Sequence, residues 1–262
     1  MGTDVAKVGD DYESCTQQVR AYGCIHPDGS GRNVIIVDTP GFDDTYRFDI
    51  DVLKDLAKWL EKTLVHHFNL HFVYQSYGHP RYRKKITLSG ILHFHNIEES
   101  RMRGSSIRGL KMFQALCGEN ALCNVVLTTT YWDRVSSDIG ANRESQLRLK
   151  FWNAFIDQGS RVARFQPRTY EAAWNLIGLF SAPSNSPLQI QTELVTKGKP
   201  LHQSTAYVFL LGWWTDLIDR LKQALGGKTD RFKRAEKQKK RLESSIRNSP
   251  GSPFGSGFFG QH

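Results

Sequence analysis

A strand-like run of four β-branched residues ends at an aspartate, and this junction is the most informative point of the sequence. The run leads into Asp38 and the turn Thr39–Gly41, within the segment NVIIVDTPGFDD at Asn33–Asp44. In open α/β sheets, ligands bind at the carboxyl ends of the strands. An aspartate there can hold Mg²⁺ through water, and a glycine leaves its backbone N–H open to a phosphate. We therefore expect Asp38 to serve a metal ion and Gly41 a phosphate; an ordinary strand-ending turn is the alternative.

A second strand-like run also ends in polar residues, in the segment NVVLTTTYWD at Asn124–Asp133. A carboxylate at Asp133 could accept hydrogen bonds from both N1–H and N2–H of guanine, a donor pair that adenine lacks. We assign Asp133, with Thr130 three residues before it, to a nucleotide site; Asp133 as a helix N-cap is the alternative. The hydroxyl of Thr16 is a third candidate, since it could bind Mg²⁺ from a loop ordered by a terminal phosphate.

The elements that must position these residues alternate between strands and helices. The turn-forming segment His26–Arg32 predicts a β-hairpin between strands at Val19–Ile25 and Asn33–Val37. Because Val34–Val37 is apolar at every position, we expect the second strand to be covered on both faces. The segment Leu70–Lys85 reads as a loop or insertion. The alternation predicts an α/β domain with a mainly parallel sheet. Further strands are predicted at Thr87–Phe94 and Asn124–Leu127, and helices at Asp49–Phe68, Ser105–Cys117, Arg143–Gln158 and Thr169–Phe180.

Composition divides the chain into three parts. Residues 1–180 form the α/β domain, and residues 181–247 form a linker and a helical extension interrupted near Lys197–Pro200 and Gly226–Gly227. Residues 248–262 are rich in Gly, Ser and Pro, and we expect them to be disordered. The four cysteines show no zinc-ligand spacing, which favours reduced thiols and a cytoplasmic protein. The histidines of His66–His95 lack an HExxH pattern, so we expect them on the polar surface and at a strand end.

The formal net charge of +9 comes mainly from the helical extension. Eight basic and two acidic side chains lie within Lys228–Arg241, which gives this stretch alone +6. The apolar spacing before it predicts that the extension packs an apolar stripe on the main domain. Binding to nucleic acid or to an anionic membrane surface through Lys228–Arg241 is the alternative. The longest apolar run, Ala206–Trp214, is too short for a transmembrane helix.

Taken in order, these segments resemble the GTPase domains of the P-loop superfamily. The resemblance is closest to a fungal GTPase-like group related to the septins and to the avirulence-induced, immunity-associated GTPases. It implies a P-loop NTPase G domain with Thr16 and Asp38 at Mg²⁺, Gly41 at the γ-phosphate and Asp133 at the guanine. The matching segments are Ser14–Thr16, Asp38–Thr45 (DTPGFDDT), His95–Met102 (HNIEESRM), Gly109–Gly118 (GLKMFQALCG), Thr128–Asp133 (TTTYWD) and Arg168–Trp174 (RTYEAAW).

The departures from this group predict an incomplete G domain. No GxxxxGKS/T loop, with its strand, is found before Thr16, and the GKT at Gly227–Thr229 follows a helical segment. The absent strand would be central in the sheet, so its loss should leave unpaired backbone groups and an open core. Either the natural protein is longer at its N-terminus, or this chain has lost ordinary nucleotide binding. Phe42 stands where many small GTPases carry a glutamine that positions water, so hydrolysis should be slow or partner-assisted.

The expected function is GTP binding with Mg²⁺, with no residue assigned a catalytic role. The output would be a nucleotide-dependent switch or assembly, read by a protein partner or by self-association. The alternative is a degenerate GTPase fold that no longer binds nucleotide and acts as a scaffold through protein interactions.

Overall fold

The computed structural model describes residues 16, 18–42, 48–65, 88–180, 186–225 and 229–247. The predicted insertion at Leu70–Lys85, the start of the basic stretch at Lys228 and the tail from residue 248 lie outside these ranges. The strands within them are β1 (Arg20–Ile25), β2 (Asn33–Asp38), β3 (Ile91–Asn96), β4 (Val125–Thr130) and β5 (Arg161–Arg164). The α-helices are α1 (Asp49–Val65), α2 (Gly104–Cys117), α3 (Ser137–Lys150), α4 (Asn153–Asp157), α5 (Tyr170–Gly178), α6 (Gln189–Gln191, continued by a π-helical turn at Thr192–Thr196), α7 (Thr205–Leu225) and α8 (Asp230–Arg247).

The centre of the larger sheet is β4, which lies between β3 and β5 in a three-stranded parallel sheet. Its pairing with β3 runs from Val125 to Thr130, and its pairing with β5 runs from Val126 to Thr129. The residues of β4 before Thr130 are all buried, as is typical of a parallel strand covered on both faces. The predicted α/β class with a parallel sheet is confirmed.

The first two strands form a separate antiparallel hairpin, in which Arg20 pairs with Asp38 and Ile25 with Asn33. The hairpin is confirmed, but the expected burial of β2 on both faces is wrong, since Ile35 and Ile36 are 46% and 39% exposed. Within the part of the chain that the structure describes, β2 pairs with β1 alone, in a two-stranded sheet separate from the larger one. Strand side chains point to the two faces of a sheet, so they are buried only where another layer packs on that face, and apolar composition does not supply that layer.

Helix α2 matches its predicted bounds to within one residue, whereas α3 begins before its predicted start and β5 was not predicted. Helix α2 ends at Gly118, whose φ of 69° suits a glycine after the last turn. Helix α3 begins at Ser137, six residues before the predicted start at Arg143. The sequence did not reveal this start, because the helix is polar on nearly every side and shows no apolar periodicity. Strand β5 has only four residues, RVAR, with exposed arginines at both ends. Its partner β4, rather than its own composition, makes this segment a strand.

Helices α7 and α8 form part of the hydrophobic core. Their residues Leu210 and Leu242 belong to one buried cluster with residues of α1, α2 and β4. The hydroxyl of Tyr207 donates to the Leu242 carbonyl and joins the two helices. On α8, Arg241 forms an ion pair with Asp51 of α1 at 2.9 Å. This is the predicted packing of the apolar stripe on the main domain. Among the described residues, no helix is long and apolar enough to cross a membrane.

A buried glutamate caps the start of α7. Glu193 is 2% exposed and accepts from the backbone N–H of Thr205 at 2.9 Å and from its hydroxyl at 2.7 Å. Gln189 Nε2 donates to it at 3.2 Å, and Lys199 Nζ lies 3.6 Å away. Burial by itself raises the pKa of this carboxyl, but the hydrogen bonds from Thr205 and Gln189 and the charge of Lys199 together outweigh it, and the pKa is lowered.

We predict that Glu193→Gln lowers the free energy of unfolding by about 1.5–3 kcal/mol at pH 7, because hydrogen bonds to a charged group are lost. The pKa of Glu193 in the folded protein lies below 4.5, the ordinary value that applies to the unfolded chain. The stability from Glu193 is therefore present above that value and lost as pH falls through the folded pKa. Urea titrations at pH 7 and at acid pH should show that the difference in unfolding free energy between parent and variant is smaller at acid pH. Exposed Glu171→Gln is the control, and a pH-independent gap would contradict the assignment.

Candidate functional site

The carboxyl ends of β4 and β5 open into a surface cavity. After β4 the chain turns through Tyr131 into a 3-10 turn at Trp132–Arg134. The two segments that leave the sheet border an open cavity of about 450 Å³, a volume within the range of small-molecule sites. This is the edge of a parallel sheet at which ligands bind. The cavity is lined by Trp132, Asp133, Phe165, Gln166, Pro167 and Arg168.

The turn after β4 depends on a strained backbone at Tyr131. Its φ of 60° lies in the left-handed region, which residues other than glycine rarely adopt. The guanidinium groups of Arg134 and Arg168 lie 4.6 and 5.0 Å from its ring centroid, and these cation–π contacts hold the ring. The turn sends Trp132 into the protein, where it is 8% exposed, and leaves Asp133 exposed.

A polar network that joins the buried Thr129 and Glu144 to the partly exposed Arg164 supports the Trp132 wall of the cavity. The indole N–H donates to Thr129 Oγ1 at 2.9 Å, and the Arg164 guanidinium lies 4.0 Å from the indole ring. Arg164 donates to Glu144 from Nη2 at 2.6 Å and from Nε at 3.2 Å, which raises the pKa of the guanidinium. Gly140 of α3 is required beside the ring, since a Cβ there would lie 2.6 Å from Trp132.

Asp133 forms an ion pair with Arg168 on the cavity wall. Arg168 Nη2 lies 3.2 Å from Asp133 Oδ2, and the two side chains are 46% and 60% exposed. Exposed pairs of this kind contribute about 0–1 kcal/mol, so both groups stay available to a ligand. The N-cap alternative for Asp133 is wrong, because Asp133 lies within the 3-10 turn and the N-cap of α3 is Ser136.

A second cluster of expected site residues lies at the carboxyl end of β2. Thr16 Oγ1 donates to Asp38 Oδ2 at 3.0 Å, and both residues are half-buried. Mg²⁺ takes oxygen ligands at about 2.1 Å in octahedral geometry, which places neighbouring ligand oxygens about 3 Å apart. The 3.0 Å separation is that of an ordinary hydrogen bond, and it is also compatible with both oxygens lying beside one magnesium ion, bound directly or through water.

The chain just after Gly41 is tied to three helices by one arginine. Arg108 of α2 donates to the Phe42 carbonyl at 3.5 Å and forms an ion pair with Asp49, at the start of α1, at 3.0 Å. Its guanidinium also lies 4.9 Å from the Trp214 ring of α7. The side chains of Arg108 and Asp49 are 14% and 5% exposed, so salt screens this ion pair less than it screens a surface pair.

Thr130 and two histidines have surroundings other than those expected. The Thr130 hydroxyl donates to the His95 carbonyl at 3.3 Å, and Thr130 does not line the cavity. His93 and His95 lie in the second half of β3, as expected, but they are not polar surface, because His93 stacks on Phe113 at 5.0 Å and His95 meets Trp152 edge-on at 6.1 Å. Burial lowers the pKa of His93 to about 4. In the described ranges, no three His, Cys, Asp or Glu side chains form a metal-binding group.

The structure brings Thr16 to Asp38 and Asp133 to Arg168, in two clusters that belong to different sheets. Sequence reasoning did not assign roles to Arg168, Arg164 or Glu144. Their ion pairs join residues 35 and 20 positions apart, a separation at which no local pattern indicates a contact. The one available signal for Arg168 is that it begins a segment resembling the GTPase group.

We predict that Arg164→Met lowers the free energy of unfolding by about 2 kcal/mol, because the buried Glu144 carboxylate loses its bidentate partner. Urea unfolding followed by circular dichroism measures the loss, and tryptophan emission should shift as Trp132 is released. Arg161→Met, on the same strand, is the control and should change stability by less than about 0.5 kcal/mol. Adding Glu144→Gln should restore part of the loss, because no unpaired charge remains. Equal losses in the single and double variants would contradict the network.

No protein-family model matches this chain, and no curated protein matches its sequence. The resemblance to GTPase domains therefore rests on the sequence motifs alone. Since one fold can host many functions, function has to follow from the chemistry of the two clusters.

Proposed function

We propose that the chain binds GTP with Mg²⁺, as a cytoplasmic protein of the G-domain type. The observation that carries the proposal is Asp133, an exposed carboxylate on the wall of a cavity at the carboxyl ends of β4 and β5. Phe165 and Pro167 offer apolar surface to a base. The carboxylate can accept from N1–H and N2–H of guanine, and adenine has no such donor pair. The site therefore favours guanine over adenine.

The Thr16–Asp38 pair supports the magnesium part of the proposal. When bound, Mg²⁺ would neutralise charge on the phosphate oxygens. The Thr16 hydroxyl and the Asp38 carboxylate would hold the ion, with water and phosphate completing its oxygen ligands. Gly41 is exposed and has no side chain, so its backbone N–H is open to a terminal phosphate.

Arg108 supports a nucleotide-dependent output. It connects the Phe42 carbonyl to α1 and α7, so a change at Gly41 on phosphate binding would reach the helical core. A partner protein or a second copy would read that change. Phe42 has no group that orients water, so we assign no catalytic residue and propose slow or partner-assisted hydrolysis.

A scaffold that acts through protein interaction is the second candidate function. The exposed Ile25 and Ile35 of the hairpin, 66% and 46% exposed, favour it, since exposed apolar strands pair with partners. Nucleic-acid or membrane binding through the basic stretch has less support. Lys239, Lys240 and Arg241 each form an ion pair within the chain.

We predict that Asp133→Asn weakens GTP binding by about ten- to a hundredfold, because a charged acceptor of two hydrogen bonds is lost. The amide can donate to the O2 of xanthine, so the ratio of GTP to XTP affinity should fall as well. Titrations of GTP, XTP and ATP, followed by calorimetry, measure both effects. Asp157→Asn, which changes an exposed carboxylate in the last residue of α4, is the matched control. Unchanged GTP affinity in Asp133→Asn would refute the assignment.

We predict that Asp38→Asn removes most of the gain in GTP affinity that Mg²⁺ gives the parent protein, a loss of about tenfold or more. The measurement compares GTP dissociation constants in Mg²⁺ and in EDTA. Asp28→Asn removes a carboxylate from the turn of the same hairpin, away from Thr16, and should keep the full magnesium effect. The assignment fails if Asp38→Asn responds to Mg²⁺ as the parent does.

A further inference from the structure

Guanine presents three groups in a row along one edge, and Asp133 can satisfy only two of them. The carboxylate accepts from N2–H and N1–H, but the third group, O6, is an acceptor and needs a donor beside the carboxylate. Adenine reverses this position, since its 6-substituent is an amine. A site that fully reads guanine therefore needs two acceptors followed by one donor.

The structure places such a donor next to Asp133. Arg168 lines the same cavity, and its Nη2 lies 3.2 Å from Asp133 Oδ2. A guanidinium carries five N–H donors in a planar fork. Contact with one carboxylate oxygen leaves donors that can point to a neighbouring acceptor. Arg168 is 46% exposed and is steadied by the Tyr131 ring 5.0 Å away.

We propose that Arg168 donates to O6 of guanine and, with Asp133, reads the whole Watson–Crick edge of the base; this rests on the proposed GTP binding. The ion pair need not break for the base to bind. A carboxylate oxygen has two lone pairs, so Oδ2 can accept from N1–H while it keeps Arg168. Asp133 Oδ1 then accepts from N2–H, and Arg168 lies beside O6. The Asp133–Arg168 ion pair is then a preformed guanine-binding arrangement in which each side chain positions the other.

The opposite arrangement would make Arg168 a competitor of the base. If the guanidinium blocked Asp133, GTP binding would have to break the ion pair, and removal of Arg168 would tighten binding. The two arrangements predict opposite signs for the same substitution, so affinity measurements separate them.

The test compares Arg168→Met with Arg161→Met, which removes an exposed arginine of β5 that does not line the cavity. The probes are GTP, ITP, which lacks the 2-amino group, and 2,6-diaminopurine ribonucleoside triphosphate, which has an amine in place of O6. Arg168→Met should weaken GTP and ITP by the same factor, about tenfold, because each loses one charge-assisted hydrogen bond. Binding of the diaminopurine nucleotide should not weaken, and Arg161→Met should bind all three nucleotides as the parent does.

Arg168→Lys adds a rescue test, since it keeps a cationic donor and should recover part of the GTP and ITP affinity. Circular dichroism and urea midpoints equal to the parent's show that the variants are folded. Unchanged or tighter GTP binding in Arg168→Met would overturn the role of Arg168. The proposed GTP binding would still stand after that result, provided that the parent prefers GTP and that Asp133→Asn abolishes this preference. A parent protein that binds none of the nucleotides overturns both proposals.

Discussion

The burial of β4 between two neighbours is the constraint on which the rest of the structure depends. A strand inaccessible to solvent from Val125 to Thr129 can satisfy its backbone only by pairing on both sides, so β3 and β5 lie in register along it. That register brings the ends of β4 and β5 together. The turn at Tyr131 then lies beside the segment that follows β5, and the space between them is the cavity. Thr129 is buried without penalty because its hydroxyl accepts from Trp132, which makes one wall of that space.

Much of the basic character of the C-terminal helix is used inside the molecule. Arg241 pairs with Asp51 and lies 4.4 Å from the Phe48 ring, and Lys237 lies 5.5 Å from the same ring. These side chains attach α8 to the start of α1 through their charge and their aliphatic stems. Some of the basic side chains behind the net charge of +9 therefore attach α8 to α1, and they are not all available to bind a partner. A count of basic residues could not separate the two, because it ignores where the acidic and aromatic partners lie.

Features with a local signal could be predicted, and features that depend on distant residues could not. The bounds of α2 follow from its own apolar spacing and from Gly118. Asp133 is visible because a polar residue ends an apolar run, but its partner Arg168 comes from a segment 35 residues further on. The exposed Ile35 shows the same limit from the other side. A strand with another layer packed on its faces and a strand of an isolated hairpin can have the same apolar composition. Burial therefore depends on the elements that pack on the strand, which its own sequence does not reveal.

The place of α8 in the core has a consequence for the order in which the molecule is made. The cluster that includes Leu53 of α1 is completed by Leu242 of α8, near the other end of the chain. At about 5–20 residues per second, translation delivers α1 roughly 10–40 s before α8. For that interval the apolar faces of α1 and α2 lack the helices that cover them, and exposed surface of this kind favours aggregation. The nascent chain therefore closes this core only after the hydrophilic helix α8 has been made.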